Sequence, residues 1–367
     1  MAVQIFGGFF SVGSIIFSDD PATFVSSSVL VMRHCPRSTP ENDLVAVPGL
    51  AHGNNYSDRP WPEFGVPAYF CTPRGETLSE AAGLWFRTNG ELPNPVRIFA
   101  DTCQRDYVSA QKFASGLGTV ADVVNASFPF QPRCHLPAAE ELLAAREEQL
   151  SLNPQPPEVS AAIARIFQAT GGGAAGNWSA QPCAVTGVRG GATGSCQVAS
   201  QFAERFMMQL AAGMEVGWGG LSEEEVMQVQ AVRVWERHVT WGHPSIAEAT
   251  AASMAVNILA SLDRSGTSVF AGHDSDHEAL AAALALQWGA PSPGVSLVAS
   301  ALRFDRAGDQ VAVSMVMPVS VARNAGWRVV PVASMRLEEL RERVHWGTRV
   351  GCAHAPQSWP ANVAVIT

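Results

Sequence analysis

No basic run occurs anywhere in the 367 residues. With a formal net charge of −9 and only 16% charged residues, the chain has nothing to neutralise a phosphodiester backbone, so no nucleic-acid partner is expected. An uninterrupted apolar run of ~20 residues is also missing, so no membrane partner is expected either. The seven cysteines, at 35, 71, 103, 134, 183, 196 and 352, include no paired C-x-x-C spacing. That argues against a zinc site, and no metal or other cofactor is expected. Residues 5–17 are apolar and small, as in a signal-peptide core, but a basic n-region and a clear A-x-A cleavage site are lacking. The stretch reads equally as a native first strand. There is no internal repeat.

What is present is hydrophobic. Nearly half the residues, 47%, are apolar, enough for a sizeable core and too many for wholesale disorder. The length suits two domains, or one domain carrying a large insertion. Sequons begin at Asn55, Asn125 and Asn177, weak support for export. In an exported chain Cys183 and Cys196, which bracket a Gly-rich loop, are the expected local disulfide pair.

Strand and helix signals alternate at first. Ser28 to Met32 reads as a buried strand. Residues 38–71 are irregular, with Trp61, Phe64 and Tyr69 either lining a pocket or covering a sheet edge. Thr72-Pro73 predicts a helix start, and Gly90 a stop after Asn89. Val96 to Ala100 is a second buried strand and Asp106 to Gly116 a second helix. From about residue 131 the pattern turns helical: 138–150, 158–170, 201–214, then a helix from the Ser222/Glu225 capping box to about Val239, and Pro244 to Leu262. Ser268 to Ala271 resumes the sheet, followed by a helix over 278–288, a hairpin of 295–304 with 311–319, and a last helix over 336–344. The expected architecture is therefore α/β, a mostly parallel sheet with flanking helices, interrupted by an all-helical insertion domain. The expected units are residues 1–130, 131–264 and 265–367.

The chemistry concentrates after the first strand, at Arg33-His34-Cys35-Pro36-Arg37. Pro36 and Pro40 stop the strand, so these residues should form a loop at its carboxyl end, where open α/β sheets hold ligands. An imidazole between two guanidinium groups suits attack on phosphorus while the planar forks hold the equatorial oxygens. Read alone, R-H-x-x-R is more often a loop histidine with two surface ion pairs. Two further strands also end in polar residues, at Asp101 with Arg105 and at His273-Asp274. Together the three ends supply a nucleophile, a phosphate clamp and an acid for the leaving oxygen.

Arg33-His34-x-x-Arg37-x-x-Pro40 resembles the R-H-G-x-R-x-P signature of the histidine acid phosphatases, in the branch that holds the bacterial phytases and glucose-1-phosphatases. Gly272-His273-Asp274 resembles that family's second signature, and Ala100 to Arg105, with Ser109, Phe113 and Gly116-Leu117, its third-arginine segment. Phe64 to Pro67, Thr72 to Gly75 and the Gly-Trp-Gly within residues 209–219 also fit, so the likeness spans about residues 25–345 in consistent order. It implies an α/β domain interrupted by a helical one and a metal-free phosphomonoesterase acting at acidic pH on a small phosphorylated substrate, phytate or a sugar phosphate. His34 would become phosphohistidine. Arg33, Arg37, Arg105 and His273 would bind the phosphoryl group, Asp274 would be the general acid, and Asp101 would lie near the substrate. A secreted or periplasmic monomer is expected.

Two residues depart from the pattern. Cys35 replaces a glycine and would crowd the pocket or reshape the loop. Asp106 replaces a threonine and would pair with Arg105, repel the substrate, or serve as first-turn acid of its helix. A phosphatase-like protein that binds phosphate ligands with little or no turnover is the rival reading. A phosphoglycerate-mutase-type phosphotransferase is a third, disfavoured by the long helical insertion and the His-Asp pair. The C-x5-R pattern of cysteine phosphatases is not met, because position 41 is Glu41. His52 and His277 are expected to be solvated or supporting. The loop over 38–71 offers only Arg59 as an extra cation, with Arg74, Arg133 and Arg303 as remoter candidates, which points to a substrate smaller or less charged than phytate.

Overall fold

Seven consecutive buried residues, Ser27–Arg33, form strand β1 at the centre of the protein. Its side chains alternate between two cores. Val29 and Val31 enter one with Phe270, Leu280 and the helices of the middle of the chain, while Leu30 and Met32 enter the other with Ala82, Phe86 and Phe113. A strand covered on both faces has no polar side, which is why the sequence reads as a continuous apolar run. The computed structural model describes residues 24–39, 56–90, 92–119, 123–125, 137–172, 176–187, 191–289, 294–323 and 326–344. Residues 5–17, Asn55, His52, Arg133, Cys134 and Cys352 lie outside them.

After β1 come α1 (Pro73–Asn89), β2 (Val96–Ala100), α2 (Gln104–Leu117) and β3 (Val123–Asn125). Helices α3 (Ala139–Leu152) and α4 (Pro157–Thr170) lead to a small ribbon, β4 (Ala184–Val185) with β5 (Ala192–Thr193). Three long helices follow, α5 (Ser195–Ala212), α6 (Glu223–Trp241) and α7 (Pro244–Leu262). The chain then adds β6 (Gly266–Gly272), α8 (Asp274–Leu284), the meander β7 (Ala301–Ala307), β8 (Gln310–Pro318) and β9 (Trp327–Arg336), and α9 (Leu337–Val344). The sheet order is β3-β2-β6-β1-β7-β8-β9. It is mixed rather than mostly parallel: β3, β2, β6 and β1 run parallel, whereas β7 to β9 are antiparallel additions. Among the described residues, the block between β3 and β6 is helical apart from the β4–β5 ribbon. By length and composition α7 is apolar enough to cross a membrane, but 67% of its apolar window is buried inside the protein.

Local chemistry explains several boundaries. Thr72 accepts a hydrogen bond from the Gly75 amide and caps α1, with Pro73 in the first turn and Gly90 at the end. Ser222 and Glu225 close the capping box of α6. Helix α8 begins one turn earlier than the sequence suggests, at Asp274, because Asp276 accepts a hydrogen bond from the His273 amide and caps that turn. Helices α1 and α2 touch backbone to backbone: a Cβ at Gly83 would collide with the Phe113 carbonyl, and one at Gly116 with the Glu80 carbonyl.

The disulfide of the described residues is Cys35–Cys71, not the expected Cys183–Cys196 pair, whose members are free thiols. Pairing of Arg37 with Cys71 and the bond from the Thr72 amide to the Pro36 carbonyl (2.9 Å) bring two remote segments together, which local spacing could not show. Closing a loop of sequence separation 36 should stabilise the fold by about 3–4 kcal/mol through the unfolded state. A Cys35→Ser, Cys71→Ser double variant should therefore lose that much unfolding free energy, read as a lower urea midpoint. An unchanged midpoint would contradict this.

Candidate active site

The three polar strand ends meet because β2, β6 and β1 are adjacent, parallel and in register at their carboxyl ends. Arg33 pairs with Gly272 and Ala100 with Ala271. The His34 amide then donates to the Gly272 carbonyl (2.8 Å) and the Asp101 amide to the Ala271 carbonyl (3.1 Å). His34, Asp101 and His273 thus leave the sheet side by side, with the amino ends of α2 and α8 pointing into the same cleft.

His34 is buried, and its Nδ1 lies 2.7 Å from the Cys35 carbonyl. A carbonyl can only accept, so Nδ1 carries the hydrogen and Nε2 carries the lone pair. Burial first, then Arg105, His273, Arg37 and Arg33, hold this imidazole well below the ordinary histidine range. It is a neutral ring among cations. His273 sits edge-on to it, ring centroids 5.6 Å apart. The His273 Nε2 faces Asp101 Oδ2 at 3.1 Å, and its Nδ1 faces Asp106 Oδ1 at 3.5 Å. Burial would lower His273, but the Asp101 hydrogen bond and Asp106 outweigh it and raise the ring above its usual value. Arg37 lays its guanidinium over the Tyr69 ring (5.3 Å).

Arg33 and Asp274 belong to a square of alternating charge. Arg33 donates to Glu204 Oε1 (2.5 Å) and lies 3.4 Å from Asp274 Oδ2. Arg233 donates to Asp274 Oδ2 and lies 3.2 Å from Glu204 Oε2. Burial alone would raise Asp274, but Arg33, Arg233 and Arg237 hold it well below the usual carboxylate range. Below the square, His277 is fully buried. Its Nε2 donates to the Val31 carbonyl (2.7 Å), so Nδ1 accepts from Ser296 Oγ (2.7 Å), and the Ser296 carbonyl accepts from Arg33. His277 is thus a supporting residue.

All seven residues expected at the site, Arg33, His34, Arg37, Asp101, Arg105, His273 and Asp274, converge. Glu204 and Arg233 were not foreseen. A glutamate and an arginine buried within the apolar stretches of α5 and α6 were their only signal. The two departures resolve differently. Cys35 is bonded to Cys71 and so turned toward α1. Asp106 does lie in the first turn of α2, 3.9 Å from Arg105 Nε, but it is fully buried rather than solvated, and burial pushes its carboxyl up to about 7.

Trp61 and Phe64 line a groove with Ser38 and Thr39, whereas Tyr69 stacks on Arg37 instead. The spare cations point elsewhere. Arg59 stacks on Trp218, Arg74 donates to the Ala322 carbonyl, and Arg303 pairs with Asp305 (2.7 Å). A cavity of about 240 Å3 lies behind Asp274, between α6 and α8.

Glu278 faces that cavity, with Arg233 and Arg237 from α6, Asp274 from α8 and Arg33 from β1 around it. Burial lifts its carboxyl from 4.5 to about 7, against the pull of Arg237 at 3.6 Å. A carboxyl raised by folding contributes stability below its unfolded value and loses it as pH rises through the folded one. Unfolding free energy should therefore fall between about pH 4.5 and 7, by about 2–3 kcal/mol from this group. Glu278→Gln should remove that part of the slope. Parallel profiles for the two proteins would contradict the assignment.

No family model and no curated protein matches the chain. Solved structures do. The phytase of Citrobacter braakii superposes with a TM-score of 0.74 at 21% identity, over 88% of this chain and 98% of that one. Hafnia alvei phytase gives 0.76 at 20% identity, over 90% and 98% of the two chains. Klebsiella sp. ASR1 phytase gives 0.73 at 13% identity, over 91% and 98%. The chain shares the phytase fold over nearly its full described length.

Proposed function

We propose that the protein is a phosphomonoesterase working through a phosphohistidine at His34. The observation that carries this reading is the His34 ring itself, buried, uncharged, and tied through Nδ1 so that only Nε2 offers a lone pair toward the arginines. Sharing a fold with phytases supports it. In the first step Nε2 attacks phosphorus as the ester P–O bond breaks, and Asp274 gives a proton to the leaving oxygen. In the second, water gives a proton back to Asp274 and attacks phosphorus as the P–N bond breaks, its electron pair returning to Nε2, which releases inorganic phosphate and restores His34. Arg33, Arg37, Arg105 and His273 carry the phosphoryl charge, helped by the amino ends of α2 and α8. Asp101 aligns His273.

Arg33, Arg233 and Arg237 favour the ionised form of Asp274. A phosphate dianion on Arg33 offsets those charges and returns the carboxyl to a range where it can hold a proton. The same pairing favours a second reading, a phosphate-binding protein with little turnover, in which the charge square stays closed. Hydrolysis separates the two. Purified protein should turn over p-nitrophenyl phosphate, and with Arg59, Arg74 and Arg303 engaged with other groups it should favour simple monoesters over phytate. Folded protein without turnover would favour the binding reading.

A further inference from the structure

Asp101, Cys103, Asp106 and His273 do not look like a ligand set in the sequence, because no two have a familiar metal spacing. Folding changes that. Asp-x-Cys-x-x-Asp wraps three donors around the start of α2, with Cys103 as its N-cap and Asp106 in its first turn. The Asp101 amide to Ala271 carbonyl bond then sets the end of β6, and so His273, beside them. One donor atom from each of the four side chains lies within 4.8 Å of all the others.

A second observation points to a ligand. Asp106 has no solvent exposure, and its oxygens make no hydrogen bond among the described residues, only the longer ion pairs to His273 (3.5 Å) and Arg105 (3.9 Å). A buried carboxylate without hydrogen bonds is costly, and a cation at this point would satisfy it. It faces the imidazole and thiol side of the group rather than a backbone donor. Cys103 is a free, partly exposed thiol. The donor chemistry selects the ion. One thiolate, one imidazole and two carboxylates form a four-ligand, borderline-soft set, which suits Zn2+ and is wrong for Mg2+ or Ca2+. Tetrahedral Zn2+ needs these donors drawn in by about 1 Å, within reach of side-chain rotation. The three anionic ligands and Zn2+ sum to one negative charge, and Arg105, 3.9 Å from Asp106, balances it.

We propose that these four side chains form a Zn2+ site that switches the neighbouring phosphate clamp off. Zn2+ on one ring nitrogen of His273 excludes the doubly protonated ring that would carry phosphoryl charge, and that ring stands edge-on to His34. Zinc and substrate phosphate therefore compete. Binding stands on the side-chain cluster alone; the inhibition rests on the phosphomonoesterase reading.

Cobalt absorption tests the binding without any appeal to activity. Titrating the full chain with Co2+ should produce a thiolate-to-cobalt charge-transfer band that saturates at one equivalent and is displaced by Zn2+. Cys103→Ser should lose the band, and Asp106→Asn should weaken Zn2+ binding in calorimetry by at least about tenfold. Cys103→Ser should also keep hydrolysing p-nitrophenyl phosphate while losing its inhibition by Zn2+. A missing band in the wild-type protein, or an unchanged band in Cys103→Ser, would overturn the site. Should the protein show no turnover at all, the cobalt titration still decides the question.

Discussion

His34→Ala is expected to lower turnover of p-nitrophenyl phosphate by a factor on the order of 10⁴ or more, because it removes the proposed acceptor of the phosphoryl. The alternative nucleophiles are poorly placed. Cys35 is consumed in the bond to Cys71, and both ring nitrogens of His273 face carboxylates, Asp101 at 3.1 Å and Asp106 at 3.5 Å. Among the described residues His34 makes no ion pair, its ring holding the Nδ1 bond and the edge-on contact with His273, so the variant should fold, and its thermal transition provides the control. Phosphate binding should survive, since the arginines remain. Loss of turnover with retained phosphate affinity is thus the signature. A variant that keeps more than about a tenth of wild-type turnover would remove His34 from the mechanism.

The second large effect concerns Asp274 and depends on the leaving group. An alkoxide must be protonated as it leaves, whereas p-nitrophenolate departs without a proton. Asp274→Asn should therefore cut turnover of an alkyl phosphate such as glycerol phosphate by about 10²–10⁴-fold, yet cost p-nitrophenyl phosphate under about tenfold. The variant also takes one charge from the square of Arg33, Glu204, Arg233 and Asp274, leaving Arg233 with one fewer buried partner. A merely structural role would weaken both substrates alike. The split between them is what identifies a proton donor, and equal losses would assign Asp274 to holding Arg33 and Arg233 in place.

How much of this was legible depended on whether the signal was local. Thr72, Pro73 and Gly90 bound α1, and Ser222 with Glu225 opens α6, because caps act within one turn of backbone. Polar residues directly after apolar strands gave away the site, since parallel strands in register must end together. Edge strand β9 was missed for a physical reason. It is half exposed, carries Pro331, and pairs with β8 through an irregular register near Val313 and Ser314, so it shows neither an apolar run nor clean alternation. Glu204 and Arg233 were also missed, because only tertiary packing shows that their helices deliver them to Asp274. Cys35–Cys71 and the Asp101, Cys103, Asp106, His273 group are likewise products of long-range topology. Their residues were each visible, but their meeting was not.

The proton on Nδ1 gives the central claim a direct test. Wild-type protein mixed with a phosphomonoester and quenched in base should carry a phosphoryl group on His34, stable to alkali, labile to acid, and attached at Nε2 rather than Nδ1. Peptide mass spectrometry locates the residue, and phosphorus NMR distinguishes the two nitrogens. Phosphate on Nε2 of His34 that forms and decays at the turnover rate is the predicted result. Steady turnover with no phosphohistidine, or with the phosphoryl group on another side chain, would contradict the account.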